Sequence, residues 1–163
     1  MAIAVYPGSF DPIHMGHVDI TRRASQLFEH VYFAIYARPL KNILFSVEER
    51  RALAEEALAD LENVSVITYT DLTVDLVRRL GANVIVRGLR AISDFEWELQ
   101  LALTNRELAP EVETVCLMAR VEYAFLSSTI VKDVARHHGD VSRMVTPNVA
   151  RALQARFGVK HEV

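Results

Sequence analysis

Five short runs rich in β-branched and aromatic residues recur along the chain, at positions 2–6, 31–37, 64–69, 83–87 and 112–118. Runs of this length and composition predict strands. Between them the apolar positions change period. Ile20, Ala24, Leu27 and Phe28 make one stripe within an amphipathic segment at 18–28. Leu53, Ala54, Ala57, Leu58 and Leu61 make a second, and Ile92, Phe95, Leu99, Ala102 and Leu103 a third. Spacings of three and four residues put each set on one helix face. Boundary signals agree with that pattern. Ser46-Val47-Glu48-Glu49 has the form of a capping box, as does Ser93-Asp94-Phe95-Glu96, although the latter falls within the helical pattern. Thr146-Pro147 reads as an N-cap followed by a first-turn proline, and Gly81 closes a helix over 74–80. Two further helices are expected at 130–137 and 147–157, with a frayed end at 158–163.

Strands alternating with helices predict an α/β fold: a single doubly wound, Rossmann-like domain over residues 1–163. It has a five-stranded parallel sheet, helices on both faces, and C-terminal helices. No internal repeat, low-complexity stretch or linker divides it. The helix over 91–108 carries a second apolar stripe, Trp97, Leu101 and Leu108, and is expected to be buried on two sides. Two readings of that second face stay open: it lines a substrate pocket, or it meets another subunit.

Composition narrows the classes. Of 163 residues, 18 are basic and 21 acidic, for a net charge of −3, which argues against a general nucleic-acid binder. The single cysteine, Cys116, excludes an internal disulfide. It stands in the apolar run Val115-Cys116-Leu117-Met118 and reads as a small buried hydrophobe. No apolar run approaches a membrane helix in length, and the N-terminus lacks a signal-peptide pattern. A cytoplasmic protein with no membrane partner is expected.

The candidate chemistry starts in Gly8-Ser9-Phe10-Asp11-Pro12-Ile13-His14-Met15-Gly16-His17, between the first strand and the first helix. Backbone N–H groups and the dipole at a helix start favour an anion, and a histidine in the same turn can bond phosphate oxygens. Three more polar clusters follow strands: Arg38-Pro39-Leu40-Lys41, Arg87-Gly88-Leu89-Arg90 and Ser127-Ser128-Thr129. Each alone has an ordinary explanation, as a cap, a solvated lysine or surface arginines flanking a turn. In a parallel sheet, however, all four fall on the carboxyl edge where ligands bind. Together they describe a site for a highly charged anion such as a triphosphate. His137 and His138, late in a helix, read as structural. No metal-binding cysteine or paired-histidine motif, Ser-His-Asp order or Walker loop is present.

With these motifs in place, the chain closely resembles the phosphopantetheine adenylyltransferase family, within the nucleotidyltransferases that carry an HxGH or TxGH signature. The turn at Gly8-Ser9-Phe10-Asp11-Pro12 with Gly16-His17 marks the wider group. The narrower marks are Tyr6-Pro7-Gly8, Lys41, Glu48-Glu49-Arg50, Arg87-Gly88-Leu89-Arg90, Asp94-Phe95-Glu96, Asn105-Arg106, and Ser127-Ser128-Thr129 with Lys132. The resemblance spans residues 3–157. The chain departs from the pattern at three places. His14-Met15 stands where many members have Thr-Asn, giving the HxGH form found in nicotinate mononucleotide adenylyltransferases. Ser9 replaces a commoner threonine, and Thr73 stands where an apolar residue often faces the pantetheine arm.

The resemblance implies transfer of the adenylyl group of ATP to 4′-phosphopantetheine, giving dephospho-coenzyme A and pyrophosphate. The acceptor phosphate attacks the α-phosphorus in line, and needs no general base because it is already anionic. His17, Lys41, Arg90 and Ser9 are implied as catalytic. ATP would meet Ser9, Phe10, His17, Gly88, Leu89, Arg90, Glu98, Tyr123, Ala124, Phe125, Leu126, Ser127, Ser128 and Thr129. The acceptor would meet Ser9, Lys41, Thr73, Arg87 and Asn105. Mg²⁺ would be held by ATP rather than by a protein cage. A homohexamer and feedback binding of coenzyme A are further implications of the family. The alternatives are a nicotinate mononucleotide adenylyltransferase and a non-catalytic nucleotide sensor. A cytidylyltransferase is disfavoured because no Arg-Thr-x-Gly-Ile-Ser-Thr-Thr segment occurs.

Overall fold

Five parallel strands, in the order β3-β2-β1-β4-β5, form the central sheet. They are β1 Ile3–Gly8, β2 His30–Tyr36, β3 Val64–Tyr69, β4 Val84–Leu89 and β5 Glu113–Met118. Among the described residues, six α-helices connect and follow them: α1 Met15–Leu27, α2 Val47–Ala57, α3 Thr73–Arg79, α4 Ile92–Leu108, α5 Ser128–Arg136 and α6 Pro147–Phe157. A short 3-10 turn occupies Val121–Tyr123. The structure is a computed structural model and describes residues 1–158. The C-terminal stretch expected to fray thus lies, beyond Gly158, outside the described residues.

Alternation along the strands builds two cores. Ala4, Tyr6, Val84 and Val86 face α1, α2, α5 and α6, where they meet Ile20, Ala54, Val131 and Leu153. Val5 and Ile85 face the other way, onto Val74, Leu76 and Val77 of α3 and onto Ala109. The sheet is thus covered on both faces, as its apolar strands require.

Chain order reverses between β1 and β4, the switch point of a doubly wound sheet. The two strands pair only at Ala4↔Val84 and Val5↔Ile85, although they continue to Gly8 and Leu89. β1 pairs β2 over its whole length, from Ile3↔His30 to Gly8↔Ile35. The carboxyl ends of β1 and β4 therefore part from one another and leave a crevice.

Local signals decide the boundaries. Ser46 caps α2, its Oγ accepting from Glu49 N at 3.1 Å while Glu49 Oε2 accepts from Ser46 N at 2.8 Å. Gly81, at φ +65°, ends the turn after α3 in a conformation that favours glycine. The second expected capping box does not form. Ala91 takes the cap position of α4 without a side-chain bond, so Ser93 falls inside the helix. Thr146 precedes Pro147 at the start of α6, but its hydroxyl bonds Asn148 Oδ1 at 2.6 Å instead of the helix backbone.

Two burial expectations are corrected. Cys116 is exposed, because β5 is an edge strand. α4 is not buried on two sides: Phe95, Leu99 and Leu103 of one stripe and Trp97 and Leu108 of the other are all about half exposed. Among its described side chains only Glu98 is fully buried.

Candidate active site

A cavity of about 810 Å³ opens in the crevice between β1 and β4. The loop after β1 supplies its floor. Phe10 adopts φ +48°, uncommon for a residue with a side chain. Its ring is buried and stacked on Phe33 with centroids 3.9 Å apart, and its edge meets the His17 ring at 4.8 Å. Phe10 therefore lines the cavity while its ring belongs to the core. The Asp11–Pro12 peptide bond is cis.

His14 is the N-cap of α1, and the cap is built from two histidines. His14 Nδ1 accepts from Gly16 N at 3.1 Å, and His14 N donates to His17 Nδ1 at 3.1 Å. The rings stack with centroids 3.6 Å apart and an angle of 25° between them. A Cβ on Gly16 would come within 2.8 Å of His14 Cε1, so the stack requires glycine there. Because both Nδ1 atoms accept, both neutral rings carry their proton on Nε2. Burial first, and then the charge of Arg90, lower the pKa of His14 to about 3. His17 is lowered well below its usual value, first by burial, then by His14 and by the cations Arg90, Arg87 and Lys41. His17 is thus a neutral ring offering an Nε2–H donor at the cavity.

The loop after β2 brings exposed Lys41 to the same cavity. The end of β4 brings Arg87, Gly88 and Arg90. Neither arginine is a free cation. Arg87 grips Glu98 of α4 through Nε at 2.8 Å and Nη2 at 2.9 Å, and its Nη1 donates to Pro7 O at 2.7 Å. Burial works against the charge of Arg87, but the bonds and field of Glu98 outweigh it and raise its pKa. Arg90 bonds Asp94 through Nε at 2.9 Å and Nη2 at 3.1 Å, and Leu126 O through Nη1 at 2.6 Å. Arg90 in turn holds the Asp94 carboxyl below the usual carboxylate range. Both guanidinium groups are fixed in place and partly neutralised, which the sequence count of cations did not reveal.

The start of α5 forms the opposite rim. Ser127 Oγ caps the helix by accepting from Ile130 N at 3.1 Å, and Ser128 Oγ donates to Pro12 O at 2.9 Å. Ser128 has thus spent its O–H, whereas Ser127 keeps its own, so the Ser127 hydroxyl and the first-turn backbone N–H groups are the available anion donors there. Ser9, Tyr123, Leu126 and Thr129 also line the cavity. Leu89, Ala124 and Phe125, expected near ATP, lie outside the lining, and Phe125 points largely to solvent.

From the α3–α4 face come Thr73 and Asn105, together with Tyr36, Tyr69, Ile85, Trp97, Leu101, Ala102 and Thr114. Tyr69 Oη lies 3.2 Å from Thr73 Oγ1. Of these additional residues, Trp97 and Leu101 had a sequence signal: with Asn105 they sit four residues apart, on the second stripe of α4. Tyr36, Tyr69, Ile85 and Thr114 had none, since their place follows from strand order.

The carboxylates bordering the cavity, Asp94 and Glu98, are both committed to arginines. No group of three acidic, histidine or cysteine residues able to hold a metal ion occurs among the described residues.

The cytidylyltransferase-like family model matches residues 5–134, and the chain belongs to that family of HxGH nucleotidyltransferases. Two solved structures share the fold. One is a protein from Vibrio parahaemolyticus named as a candidate nicotinate-nucleotide adenylyltransferase. It is 20% identical, with a TM-score of 0.72 over 93% of this chain and 97% of the other. The second is a bifunctional NMN adenylyltransferase/ADP-ribose pyrophosphatase from Francisella tularensis, complexed with AMP and a manganese ion. It is 18% identical, with a TM-score of 0.68 over 95% of this chain and 50% of the other. Among the described residues, no helix is long and apolar enough to cross a membrane.

Proposed function

We infer that the chain is an adenylyltransferase that joins the phosphate of 4′-phosphopantetheine to the α-phosphorus of ATP, forming dephospho-coenzyme A and releasing pyrophosphate. The observation that carries this reading is the two-sided lining of one cavity. Cationic and N–H donors on the β1, β2 and β4 loops and at the start of α5 share the cavity with a less charged side lined by Thr73, Trp97, Leu101, Ala102 and Asn105, the acceptor limb of this reading. That limb suits a long, flexible acceptor with amide groups better than a compact, charged pyridine nucleotide.

The in-line step asks for positioning and charge stabilisation, not proton transfer. His17 donates from Nε2 to an α-phosphate oxygen as charge builds there. Lys41 and Ser9 hold the acceptor phosphate against the α-phosphate, and Arg87 lies beside that acceptor. Arg90 and the α5 N–H groups receive the β- and γ-phosphates. Tyr123 and Leu126 flank the adenine, and Gly88 lets the backbone approach the nucleotide. Mg²⁺, carried by ATP, supplies neutralisation of phosphate charge when bound. Coenzyme A, which shares the acceptor's arm, would compete for the same limb as a feedback ligand. We place the enzyme in the cytoplasm, as a homohexamer associated through the exposed apolar face of α4.

A second reading has specific support. His14 gives the chain the HxGH form, and the Vibrio neighbour is named for nicotinate nucleotide. Pyrophosphate release from Mg·ATP, compared with each acceptor in turn, separates the readings. Turnover with 4′-phosphopantetheine alone is expected. Turnover only with nicotinate mononucleotide would move the assignment to that acceptor, and turnover with neither would leave a nucleotide sensor.

A further inference from the structure

Asp11 is 1% exposed and Arg50 is 2% exposed, yet neither belongs to the transfer chemistry above. Burying a charge is costly unless it is paired and fully hydrogen-bonded. Asp11 is ion-paired with Lys132, and both Asp11 and Arg50 are hydrogen-bonded to the backbones of the site loops. Asp11 Oδ2 accepts from Leu44 N at 2.8 Å and from Lys132 Nζ at 2.9 Å, while Oδ1 accepts from Phe45 N at 2.9 Å. Arg50 donates to Phe45 O at 3.1 Å through Nε, and through Nη1 to Ser9 O at 2.7 Å and Tyr36 O at 2.8 Å.

These bonds converge on one segment. The chain between Tyr36 and Phe45 carries Lys41, and Arg50 fixes it at both of those residues. Asp11 fixes its far end again, at Leu44 and Phe45, and Arg156 adds a bond to Leu44 O at 2.8 Å. Within the segment only Ala37 is otherwise tied to the sheet, donating to Tyr69 O at 2.9 Å. Lys41 lies three residues from Leu44, a reach of about 10 Å at most. Leu44 is thus an anchor close behind Lys41 in the chain. Asp11 also belongs to the loop that carries Ser9 and His17, and Lys132 to the helix whose start forms the phosphate rim. The carboxylate joins three separate parts of the site.

We propose that Asp11, held by Lys132 and flanked by Arg50, is a positioning residue that sets Lys41 in register with Ser9 and His17. Its kinetic test rests on the nucleotidyl-transfer reading, and a second test does not. Asp11→Asn keeps the size of the side chain and removes the charge that holds Lys132. In the otherwise native chain it should lower kcat by about 10- to 100-fold with little change in KM for ATP. In a Lys41→Ala background the same change should cost less than about twofold, because the residue it positions is gone. Equal losses in the two backgrounds would overturn the proposal and leave Asp11 a structural acid.

The substrate-free test is the rate of trypsin cleavage at the Lys41–Asn42 bond, read against the melting temperature. Asp11→Asn should speed that cleavage several-fold at a temperature where the fold is intact. An unchanged rate would overturn the proposal, whichever acceptor is used. Should Asp11→Asn fail to fold, Lys132→Met replaces it in both tests, with the same outcomes expected.

Discussion

His17 and His14 have opposite duties that follow from one geometry. Each Nδ1 is consumed by a backbone N–H, so each ring is locked as the Nε2–H tautomer. In His14 that lock makes a helix cap. In His17 it leaves a donor at the cavity, in a form that burial and the neighbouring cations keep neutral. Removing one transition-state donor costs about 10²–10³ in rate. His17→Ala is expected to lose that much in kcat and, because His17 Nδ1 also accepts from His14 N in the helix cap, to melt somewhat lower while still folding; a folded variant with near-native turnover would remove His17 from its role. The same burial couples stability to pH. Both folded pKa values lie below the ordinary 6.5, so the unfolded chain binds more protons than the folded one once the pH falls below that value. Stability is complete above about pH 6.5 and declines below it by about 1.4 kcal/mol per pH unit for each histidine. For His14 the decline continues toward pH 3. Urea unfolding at several pH values from about 7.5 downward should show this slope, and His14→Gln should remove one histidine's share of it.

At the scale of elements, helix α4 separates what periodicity reports from what it does not. Its apolar spacing was legible in the sequence, but periodicity identifies an apolar surface without saying what covers it. Within one chain Phe95, Leu99 and Leu103 are uncovered, and Trp97 leans on the cavity. Cys116 misled for a related reason: an apolar run does not reveal that its strand lies at the sheet edge. Contiguous exposed apolar side chains of this size mark an interaction surface. If copies of this chain meet there, Phe95→Glu with Leu103→Glu should lower the mass seen by sedimentation, and their melting temperature should stay near that of the native monomer. The local signals, by contrast, needed no tertiary knowledge. Ser46 with Glu49, Gly81, and the Gly8–His17 turn act within a few residues of themselves; the first two stand where their spacing put them, whereas α1 begins at Met15, earlier than the segment at 18–28, and takes Gly16 and His17 into its first turn. The second capping box failed because its serine lies two residues beyond the cap position, which Ala91 takes.

On the scale of the whole molecule, the decisive contacts join residues far apart in sequence, which is why spacing alone did not reveal them. Asp11 meets Leu44 and Lys132 only through the fold, and Arg87 meets Glu98 across the crevice edge. That last pair, with the bond from Arg87 to Pro7 O, spans the place where β1 and β4 stop pairing. An unbraced gap between two central strands would leave Pro7 O and a buried carboxylate without partners. The brace therefore does two things: it closes the polar account of the gap and sets a guanidinium at the cavity. Cutting one side of a buried pair typically costs about 3–5 kcal/mol, whereas replacing both sides with apolar groups of similar volume can be nearly neutral. Arg87→Met and Glu98→Leu should therefore each lower the melting temperature markedly when made alone, and much less when made together. Turnover separates fold from function. The double variant should regain stability without regaining pyrophosphate release. Recovery of both would mean that Arg87 braces the strands and has no part in holding the acceptor.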